Sequence, residues 1–264
     1  MLYSQAMGPS AAALLSPDEP SPVSVARGNG QSPFLLVCDH AGRRLPERLG
    51  RLGLDDQDLD RHIAWDIGIA ATSRLLAEAL DATLIEQRYS RLVIDCNRPP
   101  GAPSSIPEIS EATPIPGNLH LAPAEREARI AEIFRPYHDR IAAQIDGRLA
   151  APQPTVLVAM HSFTPVYKGL ARPWHIGTLY GRDRRLAEPL YSLLARESHI
   201  TVGDNEPYAV SNETDHTIPV HGEQRGLIHI GIEIRQDQIT SPDGQAEWAA
   251  RLGRLLPAAL AAVV

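Results

Sequence analysis

Apolar residues are unevenly distributed along this chain. From residue 33 onward, short apolar runs alternate with longer stretches in which apolar residues recur every three or four positions. FLLVCD (34–39), TLIEQ (83–87) and RLVIDC (91–96) have the length and composition of buried strands, whereas AWDIGIAATSRLLAEAL (64–80) has a helical period. Residues 97–118 hold too much Pro, Gly and Ser for regular structure and are predicted to form a loop walling an active site. An amphipathic helix is expected over 123–149, then a strand in TVLVAMHSF (155–163) that ends near a histidine. HIGTLYG (175–181) reads as a strand, 184–198 as a helix, 205–226 as a polar loop, LIHIGIEIRQD (227–237) as a strand and 245–262 as a closing helix. Strands alternating with helices in this way predict an α/β domain, a three-layer α/β/α sandwich with a mixed central sheet.

Residues 1–32 are rich in Ser, Pro, Gly and Ala and are read as an arm, lying over the domain or partly mobile, with a single domain over 33–264. A length of 264 residues fits one large domain. A net charge of −7 leaves no basic footprint for nucleic acid, and no apolar run is long enough to span a bilayer. The apolar patch at Ala11–Leu15 has no preceding Lys or Arg and fails as a signal peptide, so a cytoplasmic location is expected. Cys38 and Cys96 lie in apolar runs outside any C-x-x-C pair and are read as buried free thiols.

In open α/β sheets ligands gather at the carboxyl ends of strands, so the polar residues that follow apolar runs are the first candidates for chemistry. Four places have that form: Asp39-His40, Asp95 with Asn97 and Arg98, His161, and Glu233 with Arg235. Two strand-end histidines and a carboxylate make the two-nitrogen, one-oxygen set that leaves zinc an open position for water. His40 and His161 fit it, with Asp66 in HIAWDIG as the carboxylate, Asp60 in reserve and Asp39 in support. Each has a plainer reading, since a lone strand-end histidine is more often structural and Asp66 serves equally as an acid at the start of a helix. In IGIEIRQD the alternation puts Ile230, Ile232 and Ile234 on one face and Gly231, Glu233 and Arg235 on the other. Glu233 there is either a general base or an ion-pair partner of Arg235. Arg91 and Arg98 suit a substrate carboxylate or a developing oxyanion, and equally an acid such as Asp95. His221, beside Pro219 and Gly222, is a candidate rim residue that touches substrate; His216 carries less signal. No nucleophile elbow, H-E-x-x-H, P-loop or dinucleotide fingerprint is present.

The stretches CDHAGRRLP, HIAWDIG, YSRLVIDCNRPP, MHSFTPV and GIEIRQDQI occur in that order between Pro33 and Ile239. Together they resemble the N-formylglutamate amidohydrolase family, which is related to the zinc carboxypeptidases. The resemblance implies a zinc-carboxypeptidase-like (phosphorylase/hydrolase-like) fold, Zn2+ as cofactor, and His40 and His161 as its ligands. IDCNRPP is similar to an Asn-Arg motif that holds a substrate carboxylate, which implies that role for Asn97 and Arg98. IEIRQD is similar to the strand bearing the catalytic glutamate, which implies Glu233 as the base. Zinc carboxypeptidases carry a glutamate ligand three residues after the first histidine, where this chain has Arg43. The acid must come from elsewhere, and Asp66 is expected to supply it. The implied activity is hydrolysis of a small acidic N-acyl amino acid, N-formylglutamate being the reference. The alternatives are a carboxypeptidase-like or other N-acyl amino acid hydrolase, and a catalytically inactive amino-acid-binding protein.

Overall fold

A computed structural model describes residues 13–151 and 153–264. In chain order its strands are β1 (Val23–Ala26), β2 (Phe34–Cys38), β3 (Thr83–Gln87), a small hairpin β4 (Ile109–Ser110) and β5 (Thr113–Pro114), β6 (Val156–Phe163), a second hairpin β7 (Val166–Tyr167) and β8 (Leu170–Ala171), β9 (Ile176–Leu179), β10 (Val202–Asp204) and β11 (Ile228–Arg235). Its α-helices are α1 (Asp56–Asp60), α2 (Ile69–Leu80), α3 (Pro123–Arg129), α4 (Arg135–Ala150), α5 (Ala187–Leu194) and α6 (Pro242–Leu260). Seven strands form one sheet in the order β1-β3-β2-β6-β11-β9-β10. β3, β2, β6 and β11 run parallel, while β1 and β9 are antiparallel to β3 and β11, so the sheet is mixed as expected.

The central strands are continuous apolar runs because both of their faces are covered. One face, carrying Leu36, Cys38, Val158, Met160, Ile230, Ile232 and Ile234, packs under α2, α5 and α6. The other, carrying Leu35, Val37, Ile85, Leu157 and Ala159, packs against Tyr137, Ile141 and Ile145 of α4 and the loops beside it. This is the three-layer sandwich. Shortening the fully buried Ile232 to alanine costs about 2–5 kcal/mol. The helix expected over 123–149 forms, but α3 and α4 are joined by a π turn at Ile130–Phe134. Pro136 has no N–H for the carbonyl one turn back, and a local change of register relieves that loss.

Two expectations need correction. RLVIDC is not a strand: residues 91–96 form buried turns after the single β-bridge between Arg44 and Tyr89. Its apolar side chains are buried all the same, and burial alone produced the strand-like pattern. Asp66 is not inside a helix, because α2 starts three residues later at Ile69. Gly68 caps that helix at φ 81°, with Ile239 O so near that a Cβ would stand 2.1 Å from it. Within the expected arm, Val23–Ala26 pairs along β3 in antiparallel register. Without it the edge of β3 would be left bare. Residues 1–12 of the expected arm, with Ala11 and Ala12 of the apolar patch, lie outside the described residues.

Candidate metal centre and active site

β2 ends at Cys38, and the next two residues, Asp39 and His40, are both buried at the sheet's carboxyl edge. The turn that follows runs close to the chain at Arg88, where a Cβ on Gly42 would lie 1.9 Å from the Arg88 carbonyl oxygen. Only glycine fits there. The neighbouring strand β6 brings His161, and the turn before α2 brings Asp66, whose N–H donates to His40 O at 3.1 Å.

These three side chains converge. His40 Nδ1 and His161 Nδ1 are 3.3 Å apart, and Asp66 Oδ2 lies 3.4 Å from the first and 3.1 Å from the second. Donors arranged tetrahedrally about zinc at ~2.05 Å are about 3.3 Å from one another, so the spacing and the N,N,O chemistry fit such an ion. Each imidazole is backed by a further carboxylate: His40 Nε2 is 2.7 Å from Asp95 Oδ1, and His161 Nε2 is 3.1 Å from Asp39 Oδ2. With an ion held between the two Nδ1 atoms, each imidazole would carry its proton on Nε2, facing these carboxylates.

Burial and the Arg91 charge lower the His40 pKa, but Asp95 and Asp66 outweigh them and the net shift is upward. Burial also opposes the charge on His161, yet Asp39 and Asp66 carry it well above the usual histidine value. Asp66 and Asp95 pay desolvation on burial, but the positive charges of His40 and Arg91 hold both below the usual carboxylate range.

His40, Asp66 and His161 line a cavity of about 460 Å³ together with Glu233, Arg91, Asn97, Arg98 and Tyr208. Glu233 stands opposite His161 in the parallel register of β11 and β6, so the two side chains leave the sheet on the same face. Its Oε2 is buried with no hydrogen-bond partner among the described residues. Burial pushes its pKa up to about 7, His161 opposing and Asp66 adding to the shift. A carboxylate of that kind takes up and releases a proton near neutrality.

The remaining expected residues separate. Arg91 spends its donors on acids, Nε and Nη2 on Asp95 Oδ2 at 3.0 and 2.6 Å and Nη1 on Asp66 Oδ1 at 3.3 Å. Arg98 donates to the carbonyls of Asn97 and Thr214 and has no carboxylate partner among the described residues. The Asn97 amide is tied to one loop: Nδ2 donates to Asp215 Oδ1, and Oδ1 accepts from the N–H groups of His216 and Thr217, each at 3.1 Å. His221 is not at the rim; it is buried in a π segment, Ile218–Glu223, with Nε2 3.0 Å from His138 Nδ1, and it does not line the cavity. The turn at Pro219 and Gly222 packs inward because Ile218 joins the apolar face against α4, and His221 is carried in with it. Asp60 ends α1 on the surface, ion-paired with Arg43 and away from the cavity. Tyr208 escaped the sequence reading, because a lone tyrosine in a polar loop carries no periodic signal. Its hydroxyl accepts from Arg172 Nη1 at 2.9 Å.

Comparison with known proteins places the chain in a family. The chain is 42% identical to an Agrobacterium tumefaciens gene product of known crystal structure, covering 95% of this chain and 99% of that one with a TM-score of 0.91. Over 92% of this chain and 98% of the other, it shares the fold of an N-formylglutamate amidohydrolase from Ralstonia eutropha, at 19% identity and a TM-score of 0.68. It is 30% identical over 200 residues, 66% of this chain and 71% of the relative, to an N-formylglutamate deformylase of Pseudomonas putida. The corresponding Pseudomonas aeruginosa protein is 28% identical over 249 residues, 84% of this chain and 86% of that one. The family model for N-formylglutamate amidohydrolase matches residues 32–240, and the chain belongs to that family.

Proposed function

We propose that this protein is a metal-dependent hydrolase, zinc being the preferred ion, that cleaves the amide of an N-acyl amino acid, with the N-formyl amino acids, N-formylglutamate among them, as first choice. One observation carries the reading: three donor atoms at tetrahedral spacing, both imidazoles backed by carboxylates, open on a cavity beside the unpartnered Oε2 of Glu233. The names of the Pseudomonas relatives support the substrate class.

His40, Asp66 and His161 would hold the ion. It supplies Lewis acidity toward the amide carbonyl and the attacking water. Glu233 takes one proton of the water at Oε2 and returns it to the amide nitrogen as the C–N bond breaks, releasing the acyl group as a carboxylic acid and the amino acid as a free amine. Arg98 is the guanidinium free to receive the substrate carboxylate. Arg91 keeps Asp66 and Asp95 ionised and aligned, and Asn97 holds the cavity wall. Metal analysis of wild type, His40→Ala and His161→Ala tests the centre, and Glu233→Gln tests the base. One ion per chain is expected in wild type and in Glu233→Gln, with loss in both alanine variants. Glu233→Gln turning over N-formyl amino acids at the wild-type rate would rule out the base.

A further inference from the structure

His161 is held from behind by more than Asp39. Asp39 Oδ1 accepts two hydroxyl hydrogen bonds, from Tyr137 Oη and from Thr217 Oγ1, each at 2.8 Å. That leaves Oδ2, which no other hydrogen bond engages among the described residues, 3.1 Å from His161 Nε2 in an ion-pair contact. Thr217 and Tyr137 are fully buried and Asp39 is 1% exposed, so no water replaces either hydroxyl. Two donors on one oxygen fix the rotation of the carboxylate, and thereby the plane of the imidazole in front of it.

Thr217 is in turn held by Asn97, whose Oδ1 accepts from the Thr217 and His216 N–H groups. The Asn97 N–H donates at 2.9 Å to Asp95 Oδ1, the oxygen that backs His40. Asn97 is therefore joined to the supports of both histidines, through its backbone to Asp95 and through its side chain to the segment carrying Thr217. Thr214 and Asp215 of that segment line the cavity.

We propose that Thr217 is a positioning residue for the metal ligands: its hydroxyl, with that of Tyr137, orients Asp39 and so His161, and couples occupancy of the His40–Asp66–His161 site to the order of the cavity wall at 211–217. This rests on the metal reading above. Because linkage is reciprocal, an ion that needs His161 in one orientation stabilises the wall, and a loosened wall weakens the ion's hold.

The test is Zn2+ titration against a competing chelator with metal-free wild type, Thr217→Val, Thr217→Ser and Tyr137→Phe, each also followed by hydrogen exchange over 211–217. Thr217→Val keeps the shape and removes the hydroxyl; its Zn2+ affinity is expected to fall about 10- to 100-fold. Thr217→Ser restores affinity to within about threefold of wild type, less than half a decade in binding constant. Added Zn2+ slows exchange over 211–217 in wild type and in Thr217→Ser, but much less in Thr217→Val. Tyr137→Phe removes the other donor to the same oxygen and shifts affinity in the same direction, which keeps the proposal testable should Thr217→Val fold poorly. Wild-type affinity in both Thr217→Val and Tyr137→Phe overturns this inference and leaves the metal reading standing. Absence of Zn2+ binding by wild type overturns both.

Discussion

Two groups of buried histidines face Asp39, and they are built in opposite ways. In the first, His40 and His161 each have a carboxylate behind Nε2 and share Asp66 in front. In the second, His138 Nε2 donates to the Cys96 carbonyl at 2.8 Å, Nδ1 then accepts from His221 Nε2, and His221 Nδ1 is buried without a hydrogen-bond partner among the described residues. The His138 and His221 rings stack, and His216 packs edge-on against His138. Burial and the imidazoles of His216 and His221 push the His138 pKa down to about 3, and burial with His216 and Arg225 pushes His221 down to about 4. Carboxylates carry the first pair the other way. Residue type and burial are alike in the two pairs; the density of acidic partners decides whether the imidazole pKa is carried up or pushed down.

Removing a ligand should separate the groups most widely. His161→Ala is expected to lose its bound ion and to lower turnover of an N-formyl amino acid by at least about 10³-fold, or ~4 kcal/mol. His138→Gln should stay within about threefold of wild type, under ~1 kcal/mol. Parallel kinetics and metal analysis make the comparison, and equal losses in the two variants would end the distinction.

The acids of the first group depend on Arg91. Arg91→Gln leaves Asp66 and Asp95 without their guanidinium, and urea unfolding of the metal-free protein is expected to show a loss of about 3 kcal/mol.

The second group should make the fold sensitive to acid. Its histidines have folded-state pKa values below their unfolded value of 6.5, so the unfolded chain binds more protons as pH falls below 6.5. Stability is then complete above pH 6.5 and declines as pH falls toward about 4, where His221 protonates in the fold. The shift of His221 corresponds to a contribution on the order of 3 kcal/mol, discounted for the neighbouring imidazoles that titrate with it. The facing charges that modulate it are Asp39, His216 and Arg225. Urea midpoints of wild type and His221→Gln at pH 7.5 and 4.5 measure it: the wild type should lose more stability on acidification, and parallel losses would remove His221 from the account.

The smallest effect concerns Arg98, which makes no ion pair with an acid among the described residues. Arg98→Gln is expected to raise KM about 10-fold, ~1.4 kcal/mol, with little change in kcat. Steady-state kinetics would show the split, and a fall in kcat alone would place Arg98 in the transition state instead.

The parts of the molecule readable from sequence were those with a local period. FLLVC, VLVAMHSF and IHIGIEIR each read as strands because both faces of the central sheet are covered, and the alternation at 230–235 put Glu233 opposite the isoleucine face. RLVIDC shows the limit of that signal, since burial without extension gives the same apolar run. Asp66 was selected for its chemistry and misplaced in a helix, because nothing local shows that Gly68 delays the helix start. His221 was set at the rim for its neighbours Pro219 and Gly222, whereas the apolar anchor of Ile218 draws that turn inward.

By itself, then, the sequence determined the layered α/β architecture, the delivery of two histidines to one sheet edge and the face on which Glu233 emerges. These follow from backbone periodicity and burial, which act over a few residues. Only the tertiary structure decided that Asp95 stands behind His40, that Thr217 holds Asp39, that Arg91 serves the acids, and that Asn97 clips a loop. Those roles depend on contacts between residues far apart in the chain, 55 positions for His40 and Asp95 and 178 for Asp39 and Thr217. A hydrogen bond across such a separation leaves no periodic trace, because its geometry is set by how the layers pack rather than by either segment alone.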